Sequence, residues 1–256
     1  MLDPWQPSLD PEWAIAVVVF AVDYAVVTRS YRRRGVPVQP TRCALFAAGL
    51  ALIAVALLSP IEHLALTSML SFHLLQNVMI ADWAPPLLIL GLTPAMCAAI
   101  ARRGGRVFAA LTDPKVALPV WLVGWYGIHL ALLYDFALRH AWTLNIEHLL
   151  LIAIGFLFWW PVLADEPGDI GAPLKIGYLG TAFVGSAFLG LGLTFASTPF
   201  YDFYEEAPRL WGLSAEKDQN FGGILMNVEQ AFVFLAAILY FVVKLIPEEE
   251  RTRAGA

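Results

Sequence analysis

The stretch SMLSFHLLQNVMIADWAPP, Ser68 to Pro86, decides how the whole sequence is read. Its apolar residues are dense enough for a membrane interior, yet His73, Gln76, Asn77 and Asp82 interrupt them before the Pro85–Pro86 pair. Polar groups are costly in hydrocarbon unless paired, so such a segment either packs inside a helical bundle or marks a functional path. The rest of the chain keeps the same character. Of 256 residues, 59% are hydrophobic and 14% charged, against about 25% charged in soluble domains. Mean hydropathy is +0.67. Charges cluster between long apolar runs, and a span needs roughly 20 such residues to cross about 30 Å. The fold class is an all-α integral membrane protein.

Apolar runs predict about seven transmembrane helices in a single polytopic domain, at 12–29, 42–59, 65–92, 117–135, 144–163, 176–196 and 222–245. Pro85 and Pro86 remove backbone donors and are expected to kink or end the regular part of the third span. The following PAMCAAIARRGG reads as a short interfacial helix rather than an eighth span. Basic residues orient the bundle. Arg29, Arg32, Arg33, Arg34 and Arg42 flank the first loop, Arg102, Arg103, Arg106 and Lys115 the third, and Lys244, Arg251 and Arg253 the C-terminal end. The N-terminal segment and the alternate loops carry Asp3, Asp10, Glu12, Glu62, Asp202, Glu205 and Glu206 instead. The pattern predicts the N-terminus outside and the C-terminus cytoplasmic. The 164–175 loop, with one lysine and three acids, contributes least to it. The 197–221 loop, containing YDFYEEAPRLWGL, is expected outside, its aromatics suited to the interface.

Other classes are disfavoured by what the sequence lacks. No basic patch interleaved with aromatics points to nucleic acid. The N-terminal segment has no basic region of a signal peptide, so the first apolar run reads as a retained span. Cys43 and Cys97 form no CxxC pair and read as packing residues. Gly222 and Gly223 sit in no phosphate-binding pattern and fit close helix approach. No nucleophile–base motif is present, and an enzyme is not expected.

Orientation places the polar residues in depth. With the third span running inward from 65, His73 lies about 8 residues in, roughly 12 Å at 1.5 Å per residue. Met69, His73, Gln76 and Asn77 share a helical face. His129 falls about one and a half turns from the outer end of the fourth span. Glu147 and His148 fall in the first turns of the fifth. Asp218 and Gln219 mark the mouth of the seventh, followed by Met226, Glu229 and Gln230 on one stripe. His73, His129 and His148, with Met226 and Asp218, are thus expected in one outer layer. Imidazole with thioether favours copper, with Gln76, Asn77, Gln219, Glu229 and Gln230 as groups behind the ligands. Each of these histidines alone could equally bridge helices by a hydrogen bond. His63 and His140 read as solvated loop residues. Asp82 and Asp23 lie deeper, as a relay or as protonated, hydrogen-bonded acids.

At these residues the sequence resembles the CtaG-type family of cytochrome c oxidase assembly factors, associated with caa-type oxidases. LLSPIEHLA, SFHLLQNVMIADWAPPLLILG, WYGIHLALLYDFALRH, IEHLLLIAIGFLFWWPVL and WGLSAEKDQNFGGILM are similar to successive family segments, in order, across most of the chain. The resemblance implies a seven-span assembly factor that is not an enzyme, with a role in copper delivery. His73, His129 and His148 match the family's intramembrane histidines, and Asp218, Gln219 and Met226 its DQ…M stretch. Three departures stand out. Asn77 replaces a family histidine, Glu229 and Gln230 stand where apolar or small residues are usual, and Asp82 is unexpected.

The leading expectation is a copper-handling factor in the bacterial plasma (inner) membrane. It would pass copper to a cytochrome c oxidase subunit, or exchange it with another copper chaperone, at the outer face. A haem-binding or electron-transfer membrane protein is the alternative, although no regularly spaced histidine pair on facing spans supports it. A proton-coupled transporter using Asp23, Asp82 and Glu229 is a third.

Overall fold

The structure, a computed structural model, describes residues 5–8, 10–164 and 170–254, with side chains as far as residue 245. Asp3, the interior of the 164–175 loop and the side chains of Glu248, Glu249, Glu250, Arg251 and Arg253 lie outside the described residues. Every regular element among the described residues is helical. Five helices are long and apolar enough to cross a membrane, and seven if each of two bent pairs counts as one span.

Helix α1 (Pro11–Arg33) opens on Pro11, with Asp10 accepting a hydrogen bond from the Glu12 amide. It runs against α2 (Pro40–Leu58). Ser59 then ends α2 and caps α3 (Pro60–Thr67), whose first residue is again proline. This joint corrects the expected third span: residues 65–67 belong to α3, and extended backbone at Met69 separates it from α4 (Leu70–Val78).

Pro85 and Pro86 do not end the third span. They follow a π-helical turn, Met79–Trp83, and lie in the first turn of α5 (Ala84–Leu90). Proline cannot donate to the carbonyl four residues back, and the preceding turn shifts register, the Ala84 amide donating to Met79 O. The Ala81 carbonyl faces Gly155, where any Cβ would collide with it. A π turn inside a helix is uncommon and often marks a functional position.

Helix α6 (Pro94–Leu111) leaves the third span at 115°. The fourth span is broken as well. Helix α7 (Pro114–Ile128) stops at His129, and α8 (Ala131–Arg139) continues at 68° to it. The expected single helix over 117–135 is therefore two, and His129 is the residue closing α7 instead of lying one and a half turns inside a continuous span.

Helices α9 (Ala141–Leu163), α10 (Gly171–Phe195), the short α11 (Asp202–Glu206) and α12 (Ala215–Ala254) complete the chain. The α10–α12 pair packs most extensively. A Cβ at Gly223 would sit 2.6 Å from the Gly190 carbonyl and from Thr194, so this approach needs a bare backbone.

Contacts define two ends. At one, Tyr31 Oη donates to Ala95 O and Arg42 to Leu90 and Leu92 carbonyls, gathering the arginine-bearing ends of α1 and α2 with the start of α6. At the other, Trp13 Nε1 donates to Asn145 at 2.8 Å, joining the start of α1 to that of α9. Tyr201 and Tyr204 fold into this second end with 2% exposure each. The 197–221 segment is thus tied to the bundle by its two tyrosines, while Phe200 and Trp211 remain exposed.

Candidate functional site

Three histidines occupy the end opposite the arginines. His73 comes from the first turns of α4, His129 from the end of α7 and His148 from α9, with exposures of 0, 5 and 0%. Tyr134 of α8 lies between them, its ring centroid 4.8 Å from His73 and 5.6 Å from His129. The His73 and His148 rings are 6.1 Å apart at 80°. Trp13 lies over His148 at 6.0 Å.

Hydrogen bonds settle which imidazole nitrogens carry protons. The Tyr204 hydroxyl donates to Ala65 O at 2.7 Å and lies 2.8 Å from His73 Nδ1. A hydroxyl has one hydrogen. With that hydrogen on the carbonyl, His73 Nδ1 must be the donor and Nε2 bears the lone pair. Burial pushes the Tyr204 hydroxyl well above the ordinary tyrosine value, and Asp218 and Glu147 act in the same direction, so the phenol stays protonated. His129 reaches the same tautomer by another route. Its Nδ1 lies 2.7 Å from the Trp125 carbonyl, which can only accept. The Nε2 atoms of His73 and His129 and both nitrogens of His148 are buried without a hydrogen-bond partner. Glu147 Oε1 is 3.8 Å from His73 Nε2, beyond hydrogen-bonding distance. Among the described residues, no three His, Cys, Asp or Glu side chains converge closely enough to hold an ion together.

The other expected site residues fall elsewhere. Asp218 accepts from Leu70 N at 2.6 Å, Ser71 N at 3.3 Å and Ser71 Oγ at 2.5 Å. It caps α4 from another helix, because Met69 offers no side-chain cap. Gln76 donates to Ala56 O and Glu62 Oε2 instead of orienting an imidazole. Gln219 holds the loop before α11, accepting from Phe200 N and donating to Thr198 O. Asn77 is fully buried, and neither side-chain atom has a partner. Met226 is 1% exposed in the apolar core. Glu229 and Gln230 meet the π turn, accepting from Trp83 Nε1 and donating to Asp82 respectively. Tyr204 and the Trp125 carbonyl hold two of the imidazoles; Gln76, Gln219, Glu229 and Gln230 bond other groups, and Asn77 stands one turn from His73 on α4.

His140 is exposed and bonds Phe136 O. His63 is half-buried on α3, with Nε2 buried and unpartnered, which corrects its solvated reading. Asp23 is exposed on α1.

Tyr134, Tyr201 and Tyr204 escaped the sequence reading, because their contacts depend on the α7–α8 break and on α11. Asp135 accepts from the Asp202 and Phe203 amides, and Tyr201 Oη donates to His129 O at 3.0 Å. The only local signal is YDFY, where Tyr201 precedes α11 and Tyr204 lies three residues on within it.

The family described as cytochrome c oxidase caa3 assembly factor (Caa3_CtaG) matches residues 22–248. Among curated proteins, uncharacterized proteins of Mycobacterium bovis and Mycobacterium tuberculosis are each 25% identical over 228 residues, covering 81% of this chain and 34% of the relative. One of Mycobacterium leprae is 25% identical over 179 residues, covering 62% and 27%. The chain thus spans about a third of the length of the curated relatives it matches. No solved structure matches.

Proposed function

Because the chain belongs to the cytochrome c oxidase caa3 assembly factor family, we propose that it is a multi-pass protein of a bacterial plasma membrane that handles copper for an oxidase. In this reading it catalyses no reaction, and copper is its cargo. The observation that carries the proposal is the set of orphaned imidazole nitrogens. His73 and His129 each commit Nδ1–H to a fixed acceptor and leave an Nε2 lone pair buried, while His148 leaves both nitrogens free. Leaving a buried polar group unpaired costs about 1–3 kcal/mol, a cost that a bound ion would offset.

The donor chemistry suits copper, since imidazole binds it well, while Met226 packs in the apolar core. A low-coordinate Cu(I) ion fits a layer in which no three ligands are yet closed. Two imidazoles sharing an ion at about 2 Å each are compatible with ring centroids 6.1 Å apart. Tyr204 and the Trp125 carbonyl orient the rings, a role that outer groups commonly play for metal-bound histidines.

The positive-inside rule supports placing the arginine-rich end in the cytoplasm and the imidazole layer at the outer face. Transfer would then proceed to an oxidase subunit or from a copper chaperone on that side. Asn77 in place of a family histidine leaves His73, His129 and His148 as the imidazole set. The test is copper occupancy of the purified chain after loading. His73→Ala should lower it strongly and His140→Ala, at an exposed helix end, should not. Equal occupancy in both variants would sink the assignment.

A further inference from the structure

Asp82, Glu229 and Gln230 depart from the pattern that the rest of the chain resembles, and the fold brings all three together, apart from the imidazole layer. Asp82–Trp83 of the π turn faces Glu229–Gln230 of α12 in reciprocal pairs. Gln230 Nε2 donates to Asp82 Oδ2 at 3.2 Å, and Trp83 Nε1 donates to Glu229 Oε1. Asp82 is 0% and Glu229 6% exposed. The second oxygen of each, Asp82 Oδ1 and Glu229 Oε2, is buried without a partner. A groove of about 330 Å³ between α2, α5 and α12 reaches this point, lined by Leu52, Asp82, Trp83, Pro86, Leu87 and Val233.

Two ionised carboxylates here would each have a single neutral donor. Every element packed against the π turn bears on the balance. Helix α5 brings no ionisable group. Helix α2 brings only Arg42 and Cys43, both at its far end, where Arg42 is bonded to the Leu90 and Leu92 carbonyls. Helix α4 brings His73, and α9 brings Glu147 and His148, all in the imidazole layer. Helix α12 brings Glu229 to the turn. Like charges sharing a site in a water-poor interior disfavour double ionisation. A hard metal cation would instead need about six or more oxygen ligands, and the other groove residues offer hydrocarbon.

We propose that Asp82 and Glu229 form a proton-binding site in the membrane interior, behind the groove, in which the two carboxyl groups hold at least one exchangeable proton at neutral pH. The π turn supplies the geometry. It sets Asp82 and Trp83 side by side against α12, immediately before the prolines. The proton moves onto a carboxylate oxygen and off again, with Gln230 and Trp83 holding the two groups in register. The site is separate from the imidazole layer and does not depend on copper being the cargo.

Dicyclohexylcarbodiimide, a lipid-soluble reagent that modifies protonated carboxyl groups, tests this on the full chain in membranes. The expected result is modification at neutral pH, mapped by mass spectrometry to the peptide containing Asp82 or Glu229. Labelling should fall by about tenfold per pH unit once the proton dissociates. The Asp82→Asn, Glu229→Gln double variant should lose it. The wild-type pH profile stands by itself if that variant fails to fold. Absence of labelling in folded wild-type protein overturns the proposal. Protection by sodium at constant pH overturns it too, assigning a cation site instead.

Discussion

Tyr204→Phe removes one oxygen and leaves the ring in place. That oxygen accepts from His73 Nδ1 at 2.8 Å and donates to Ala65 O at 2.7 Å. Without it, the Ala65 carbonyl loses a partner, costing about 1–3 kcal/mol. His73 also loses the acceptor that keeps its proton on Nδ1. The proton can then move to Nε2, facing Glu147, and occlude the lone pair a metal would use. Outer-group losses of this kind lower metal affinity by about 10–100-fold, or about 1.4–2.7 kcal/mol. Competition against a chromogenic Cu(I) chelator, with the full chain in detergent, measures the effect, and thermal unfolding without metal measures stability in parallel. Tyr201→Phe is the matched control, because its hydroxyl serves the His129 backbone carbonyl and touches no imidazole nitrogen. It should destabilise comparably and leave copper affinity within about twofold. Equal affinity losses in both variants, or none in folded Tyr204→Phe protein, would refute the tautomer argument.

Other expectations follow from the packing. Asp218→Ala should lower the unfolding free energy by about 1–3 kcal/mol through loss of the α4 cap, while folded molecules keep their copper affinity; lost affinity at unchanged stability would restore Asp218 as a ligand. Gly223→Ala forces a methyl group against the Gly190 carbonyl and Thr194, and should cost about 1–3 kcal/mol in thermal unfolding. Burial pushes the Glu62 carboxyl on α3 up to about 8, although the hydrogen bond from Gln76 opposes the rise. A raised carboxyl contributes its stability below the unfolded value of 4.5 and loses it as pH rises through about 8. Wild-type melting temperature should therefore drop across that window relative to Glu62→Gln; parallel pH profiles would contradict the assignment.

Much of the helical scaffold was legible because long apolar runs are a property of composition, independent of tertiary contacts. The interruptions were less so. WYGIHLALLYDF carries no proline to mark a break at His129, and there Tyr201 and Asp135 tie α8 and α11 into the same end. The joint at Ser68–Met69 is similarly sustained by Asp218, which lies 148 residues from Leu70 in sequence. Residue type located the three histidines but could not apportion the amides. Gln76, Gln219 and Gln230 carry the same side chain, and their partners are Glu62, a loop backbone and Asp82. A heptad-scale stripe on one helix says which residues point inward, and the neighbouring helices decide what each of them meets. Asp82 stood out in the sequence as an acid out of place, and only the π turn brings it to α12.

The most direct test of the copper reading is the metal content of the purified full chain, by elemental analysis together with its absorption spectrum. The account predicts copper bound in proportion to protein, depleted in His73→Ala, with no haem Soret band. A Soret band in copper-free protein would contradict it.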